Sequence, residues 1–144
     1  MVEPDTIKLL RECDAGVKMG VSAIDEVMDY VKNDDLRKTL QYSMNENAKL
    51  KYDLQTALDD YHDEGKEPSA IAKSMSWVKT NMKLKMHESD SMIAELITDG
   101  CNMGIKSLNK YLNQYQAADE RSKSIARRLV STEEKLSFDM RQFL

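Results

Sequence analysis

The 144-residue sequence predicts an all-α fold, a four-helix bundle made of two repeated helical hairpins joined by a long crossover that contains a short helix. Three observations carry this reading. Apolar residues recur at steps of three and four along almost the whole chain, the period of an amphipathic helix. Only five Gly and two Pro are present, too few for the turns of an all-β domain. A nine-residue string recurs at an offset of 84 residues. The length suits one domain with a core of its own.

In the first helix Ile7, Leu10, Val17, Val21, Ile24, Met28 and Val31 form an apolar seam that Asp14 interrupts. Asn33 or Asp34 then offers an N-cap. Leu36, Leu40, Leu50, Leu54 and Tyr61 line the second helix, read as residues 34–62, with Ser43 and Asn47 as polar interruptions. The stretch Glu64-Gly65-Lys66-Glu67-Pro68 ends it, because Gly stops a helix and Pro precedes the next start. Ile71, Met75, Val78 and Met82 stripe a shorter helix over 69–86, and His87 to Ser91 supply capping residues. Ala94, Cys101, Ile105, Leu108, Leu112 and Tyr115 mark the third long helix, interrupted by Thr98. After a turn at Ala117-Ala118-Asp119, Ile125, Leu129, Leu136, Met140 and Phe143 mark the last, with Thr132 on its seam.

The recurring string is Gly16-Val17-Lys18-Met19-Gly20-Val21-Ser22-Ala23-Ile24, matched by Gly100-Cys101-Asn102-Met103-Gly104-Ile105-Lys106-Ser107-Leu108. Each copy precedes an acidic turn and a second helix, so the chain divides into a hairpin at 1–64, a crossover at 65–88 and a hairpin at 89–144. An 18-residue helix rises about 27 Å and the second helix about 43 Å. A connection of this length can run back along the bundle and start the second hairpin at the opposite end. Gly16, Gly20, Gly100 and Gly104 read as close-packing positions, since glycine permits near approach of backbones at some cost in helix propensity.

Charge excludes some partners. Residues 1–67 hold 16 acids and 9 bases, residues 68–87 four Lys and no acid, and the whole chain is net −4. That balance argues against nucleic acid, whose phosphates are neutralised by a basic excess. The basic segment around Trp77 and Lys79 admits contact with an anionic membrane surface, but its stripe has the width of an ordinary core-facing helix and packing is the preferred reading. No apolar run is long enough to span a bilayer, and Cys13 and Cys101 lack paired spacing. The expected location is the cytoplasm.

The string Cys13-Asp14-Ala15-Gly16, the pair Trp77-Val78 and the stretch from Gly100 through Lys106-Ser107-Leu108-Asn109-Lys110-Tyr111-Leu112 resemble an uncharacterised bacterial family of ferritin-like four-helix bundles, over nearly the whole chain. The resemblance implies a cytosolic bacterial protein with one long connection, and oligomerisation, but no reaction. The dinuclear metal centre of ferritin-like proteins needs Glu from two helices and Glu-x-x-His from the other two. Here Glu46 is followed three residues later by Lys49, Glu133 and Glu134 by Leu136 and Ser137, and the last helix has no His. No cofactor is therefore expected, and the sequence points away from an enzyme.

The polar seam residues Asp14, Asn47, Thr98 and Thr132 read as a hydrogen-bonded layer that sets helix register, with a small polar chamber as the sharper alternative. Asp59, His62 and Asp63 would share a helix face and could bridge a divalent cation, although solvated side chains at a helix end are the commoner case. The preferred function is a non-catalytic binding or structural protein that forms homo-oligomers. The alternative is a metal-binding protein or metal-dependent enzyme with a non-standard carboxylate site, built from residues such as Glu12, Asp14, Glu46 and Glu95.

Overall fold

A computed structural model of the chain describes residues 3–68 and 89–144. Four helices pack against one another: α1 (Pro4–Met28), α2 (Asp34–Asp60), α3 (Asp90–Gln114) and α4 (Glu120–Met140), followed by one 3-10 turn at Arg141–Phe143. No strand occurs among the described residues. Among them, no helix is long and apolar enough to cross a membrane. The short helix expected over 69–86, with Trp77 and Lys79, lies outside the described residues.

Local chemistry starts each helix where its orphan N–H groups find an acceptor. Pro4 occupies the first turn of α1, where a missing N–H costs nothing. Asn33 caps α2, its side-chain oxygen accepting from the backbone N–H of Asp35 at 2.8 Å and of Leu36 at 3.1 Å. Ser89 caps α3 by accepting from Met92, and Asp119 caps α4 by accepting from Ser122.

The end of α2 departs from the sequence reading. The helix stops at Asp60, and the chain turns at His62, whose φ is +55°. The His62 N–H bonds the Asp59 carbonyl at 3.0 Å, and the Asp63 N–H reaches back to the Leu58 carbonyl at 2.9 Å. This pair of bonds is a Schellman closure, which needs a left-handed residue where glycine is usual. His62 holds that position at a steric cost, so His62→Gly is expected to raise stability by about 1 kcal/mol, read as a higher urea midpoint with unchanged slope.

Two sets of contacts give the topology. The Asp90 carboxylate at the start of α3 accepts from the backbone N–H of Lys32 and Asn33, beside the α1–α2 turn. At the other end, Asp5 accepts from the N–H of Ala117 and the Thr6 hydroxyl from that of Asp119, joining the start of α1 to the α3–α4 turn. Tyr61 bonds Asp119 there, and Arg121 pairs with Asp60 at 2.6 Å. The second hairpin therefore begins at the end of the bundle opposite to where α2 finishes. α1 runs parallel to α4, and both run antiparallel to α2 and α3. This is the order that a single long crossover permits.

The core forms two apolar clusters stacked along the bundle axis. One holds Leu9, Leu10, Val17, Leu50, Leu54, Leu108, Ile125 and Leu129; the other holds Ile24, Val27, Leu36, Leu40, Ile93, Ile97, Leu136 and Met140. Burying one such aliphatic side chain contributes about 1.5–3 kcal/mol, so the two clusters together supply the main drive to fold. Between them each helix carries something other than a large apolar side chain: Gly20 on α1, Ser43 and Asn47 on α2, Gly104 on α3, and Thr132 with Glu133 on α4.

Candidate functional site

The middle level of the bundle combines the buried Ser43 and Asn47 with the part-buried Thr132 and Glu133. The Glu133 side chain reaches from α4 toward α1 and α3, where both facing positions are glycine. A Cβ added at Gly20 would lie 3.6 Å from Glu133 Oε1, and one at Gly104 would lie 3.6 Å from Glu133 Cδ. Gly20 and Gly104 thus front the same carboxyl group. Burial raises the Glu133 carboxyl to about 7, offset in part by a hydrogen bond with the Cys101 thiol. Burial and the neighbouring carboxylate in turn raise the Cys101 thiol well above its ordinary value. Cys13, in the cluster of Leu9, Leu10 and Leu54, is raised by burial to about 12. Neither sulfur is a thiolate near neutral pH, so neither serves as a nucleophile there.

On the α2 side of this level, Asn47 donates from Nδ2 to the Ser43 carbonyl at 3.0 Å. Its Oδ1 and the Ser43 hydroxyl are buried with no hydrogen-bond partner among the described residues. Thr98 donates to the Ala94 carbonyl at 2.7 Å and Thr132 to the Arg128 carbonyl at 2.9 Å, each one turn back on its own helix. Among the described residues no hydrogen bond joins Asn47, Thr98 and Thr132 to one another or to Asp14.

Asp14 has a different task. It is 3% exposed and accepts from the Lys18 ammonium at 2.8 Å and from the backbone N–H of Lys66 at 3.0 Å. The segment after α2 folds back along α1 and is fixed there by a series of ion pairs. Arg11 holds Asp63 through two bonds of 2.6 and 3.0 Å, Lys66 meets Glu12 at 2.5 Å, and Lys18 meets Glu67 at 3.0 Å. The Arg11 guanidinium keeps the Asp63 carboxyl below the usual carboxylate range. Gly65 makes the close approach possible. Its φ is +84°, and a Cβ there would lie 2.3 Å from Asp14 Oδ2.

These contacts correct the reading of Asp59, His62 and Asp63 as neighbours on one helical face. The helix has ended before His62, Asp63 is turned onto Arg11, and Asp59 accepts from Gln55 at 2.9 Å. Of the carboxylates considered for a non-standard metal site, Glu12 pairs with Lys66, Asp14 with Lys18 and Glu46 with Lys49, while Glu95 stands exposed on α3. No three His, Cys, Asp or Glu side chains converge among the described residues. Gly16 lies 3.7 Å from Leu129 by its hypothetical Cβ, whereas no described atom lies within 4 Å of that position at Gly100.

Sequence reasoning passed over Glu133 as an interior group. Leu129, Glu133, Leu136 and Met140 follow steps of four, three and four, as do Ile125, Leu129, Thr132 and Leu136. Two glycines aligned by the repeat were the available signal that a long side chain from another helix fills the gap. No protein family, curated protein or solved structure matches the chain.

Proposed function

We propose that the chain is a non-catalytic binding or structural protein that associates with copies of itself, a ferritin-like bundle of two matched hairpins working in the bacterial cytoplasm. The observation that carries this reading is how the interior polar side chains are used. Asp14 and Asp63 anchor the segment after α2, the Thr98 and Thr132 hydroxyls bond their own helices, and both thiols are held protonated. Among the described residues no nucleophile is paired with a base, which enzymatic acyl or group transfer would need. Self-association has support from large apolar side chains left at the surface, Phe138 at 62% exposure and Leu144 at 58% on the C-terminal stretch, with Met103 on α3.

Light scattering on the eluting protein, combined with metal analysis of protein purified without chelators and supplied with iron, manganese and zinc, tests this reading. A mass at a multiple of 16.5 kDa with substoichiometric metal is expected. A monomer at every concentration overturns the self-association. Stoichiometric metal that is lost in Asp14→Asn or Glu133→Gln overturns the non-metal reading in favour of a carboxylate site.

A further inference from the structure

A groove of about 170 Å³ runs between α2 and α4. Tyr42, Ser43 and Glu46 line it from α2, and Thr132, Lys135 and Asp139 from α4. Thr132 has already used its hydroxyl on the Arg128 carbonyl, and Thr39, one turn before Ser43, likewise bonds the Asp35 carbonyl. Ser43 does not follow this habit. It is 4% exposed and its hydroxyl has no partner among the described residues, a condition that costs about 1–3 kcal/mol.

The opposite wall shows what the groove can hold. The Lys135 ammonium sits 2.9 Å from Asp139 Oδ2 and 5.3 Å from the centre of the Tyr42 ring. A carboxylate beside an aromatic face is a receptor for an ammonium ion, since the ring quadrupole and the negative charge both attract it. Lys135 itself is only loosely committed. Its side chain is 55% exposed, and an exposed pair of this kind holds little energy. Glu46 adds a second carboxylate at the rim, where its own partner Lys49 is 70% exposed and holds it at 3.1 Å.

We propose that this groove binds the ammonium head of a small molecule. The head takes the seat of Lys135 Nζ over Tyr42, near Asp139 and Glu46, with the buried Ser43 hydroxyl behind the wall. Simple amines and free amino acids both present such a head, and the displaced Lys135 can meet the carboxylate of the latter. This gives a ligand class to the binding role proposed above, yet mass measurement tests that role separately.

Amide-shift titrations of the whole protein with ethylammonium, glycine and acetate, at constant ionic strength, read the proposal directly. Ethylammonium is expected to give saturable shifts in the millimolar range at residues 39–46 and 131–139. Glycine binding at least as well marks the amino-acid source, and ethylammonium alone marks the amine. Lys135→Ala removes the internal competitor and is expected to tighten ethylammonium binding roughly threefold, while Tyr42→Leu weakens it roughly fivefold. Both side chains are half-exposed or more, so both variants are expected to keep the helical circular dichroism of the parent. Saturable binding of acetate alone, no saturable shift with either ammonium compound, or an affinity unchanged in Tyr42→Leu overturns it.

Discussion

Replacing Gly65 by alanine is expected to destabilise the fold by roughly 3 kcal/mol, a fall of about 10 °C in Tm for a chain of this size. Two costs add. The backbone at φ +84° is open to glycine and disfavours any residue with a Cβ by about 1 kcal/mol. The new methyl would also lie 2.3 Å from Asp14 Oδ2, 3.0 Å from Asp14 Cγ and 3.2 Å from Leu58 Cδ1. Neither neighbour can give way freely. Leu58 is fully buried, and the Asp14 carboxylate is buried with its bonds directed at Lys18 and the Lys66 N–H. Moving that carboxylate off its partners leaves a buried charge uncompensated, which is why breaking such a pair costs more than the pair contributes. Gly16→Ala supplies the contrast. Gly16 lies within α1 and its added Cβ makes an ordinary 3.7 Å contact with Leu129, so a gain of up to about 1 kcal/mol in helix propensity is expected. Equilibrium denaturation of both variants checks the pair, and equal effects at the two glycines would show that the Asp14 clamp does not hold the segment after α2.

The contrast between these glycines also shows where sequence reading reached and where it stopped. The four helices were legible because a period of three and four leaves no alternative over 20 residues or more, and because Asn33, Ser89 and Asp119 are strong caps placed before apolar runs. The length of the connection allowed the second hairpin to start at the opposite end of the bundle, where the Asp90 contacts with Lys32 and Asn33 place it. The termination of α2 was harder. Gly65 looks like the helix stop, yet the left-handed residue that closes the helix is His62, and Gly65 serves a later turn against Asp14. The partners of Asp14 were hidden for the same reason. A seam carboxylate suggests a group across the bundle, whereas its partners are its own helix at Lys18 and a loop whose path depends on three ion pairs acting together. Periodicity reports which face of a helix is inward; it carries no information about a loop folding back on that face.

Glu133→Gln is expected to stabilise the protein above neutral pH, by as much as about 3 kcal/mol, and to flatten the pH dependence of stability between about pH 4.5 and 7. The sign follows from which form the fold prefers. Burial between Gly20 and Gly104 raises the Glu133 carboxyl to about 7, so the folded protein holds this proton more tightly than the unfolded chain does. Stability therefore falls as pH rises through that window and levels off above it, where the ionised carboxylate stays in its desolvated setting. Among the described residues the side chain that eases this burden is the Cys101 thiol, and a single weak S–H donor compensates a charge poorly. Glutamine keeps the shape and the capacity to bond Cys101 while carrying no charge, so the variant and its parent should converge near pH 5 and separate toward pH 8. Urea denaturation of both proteins across that range gives the difference directly, since every other titrating group cancels between them. A Glu133→Gln curve parallel to its parent at all pH values would mean that the carboxylate finds solvent in the folded state. Gly20 and Gly104 would then no longer explain a polar level in the bundle, and among the described residues its two separate clusters would rest on Ser43 and Asn47.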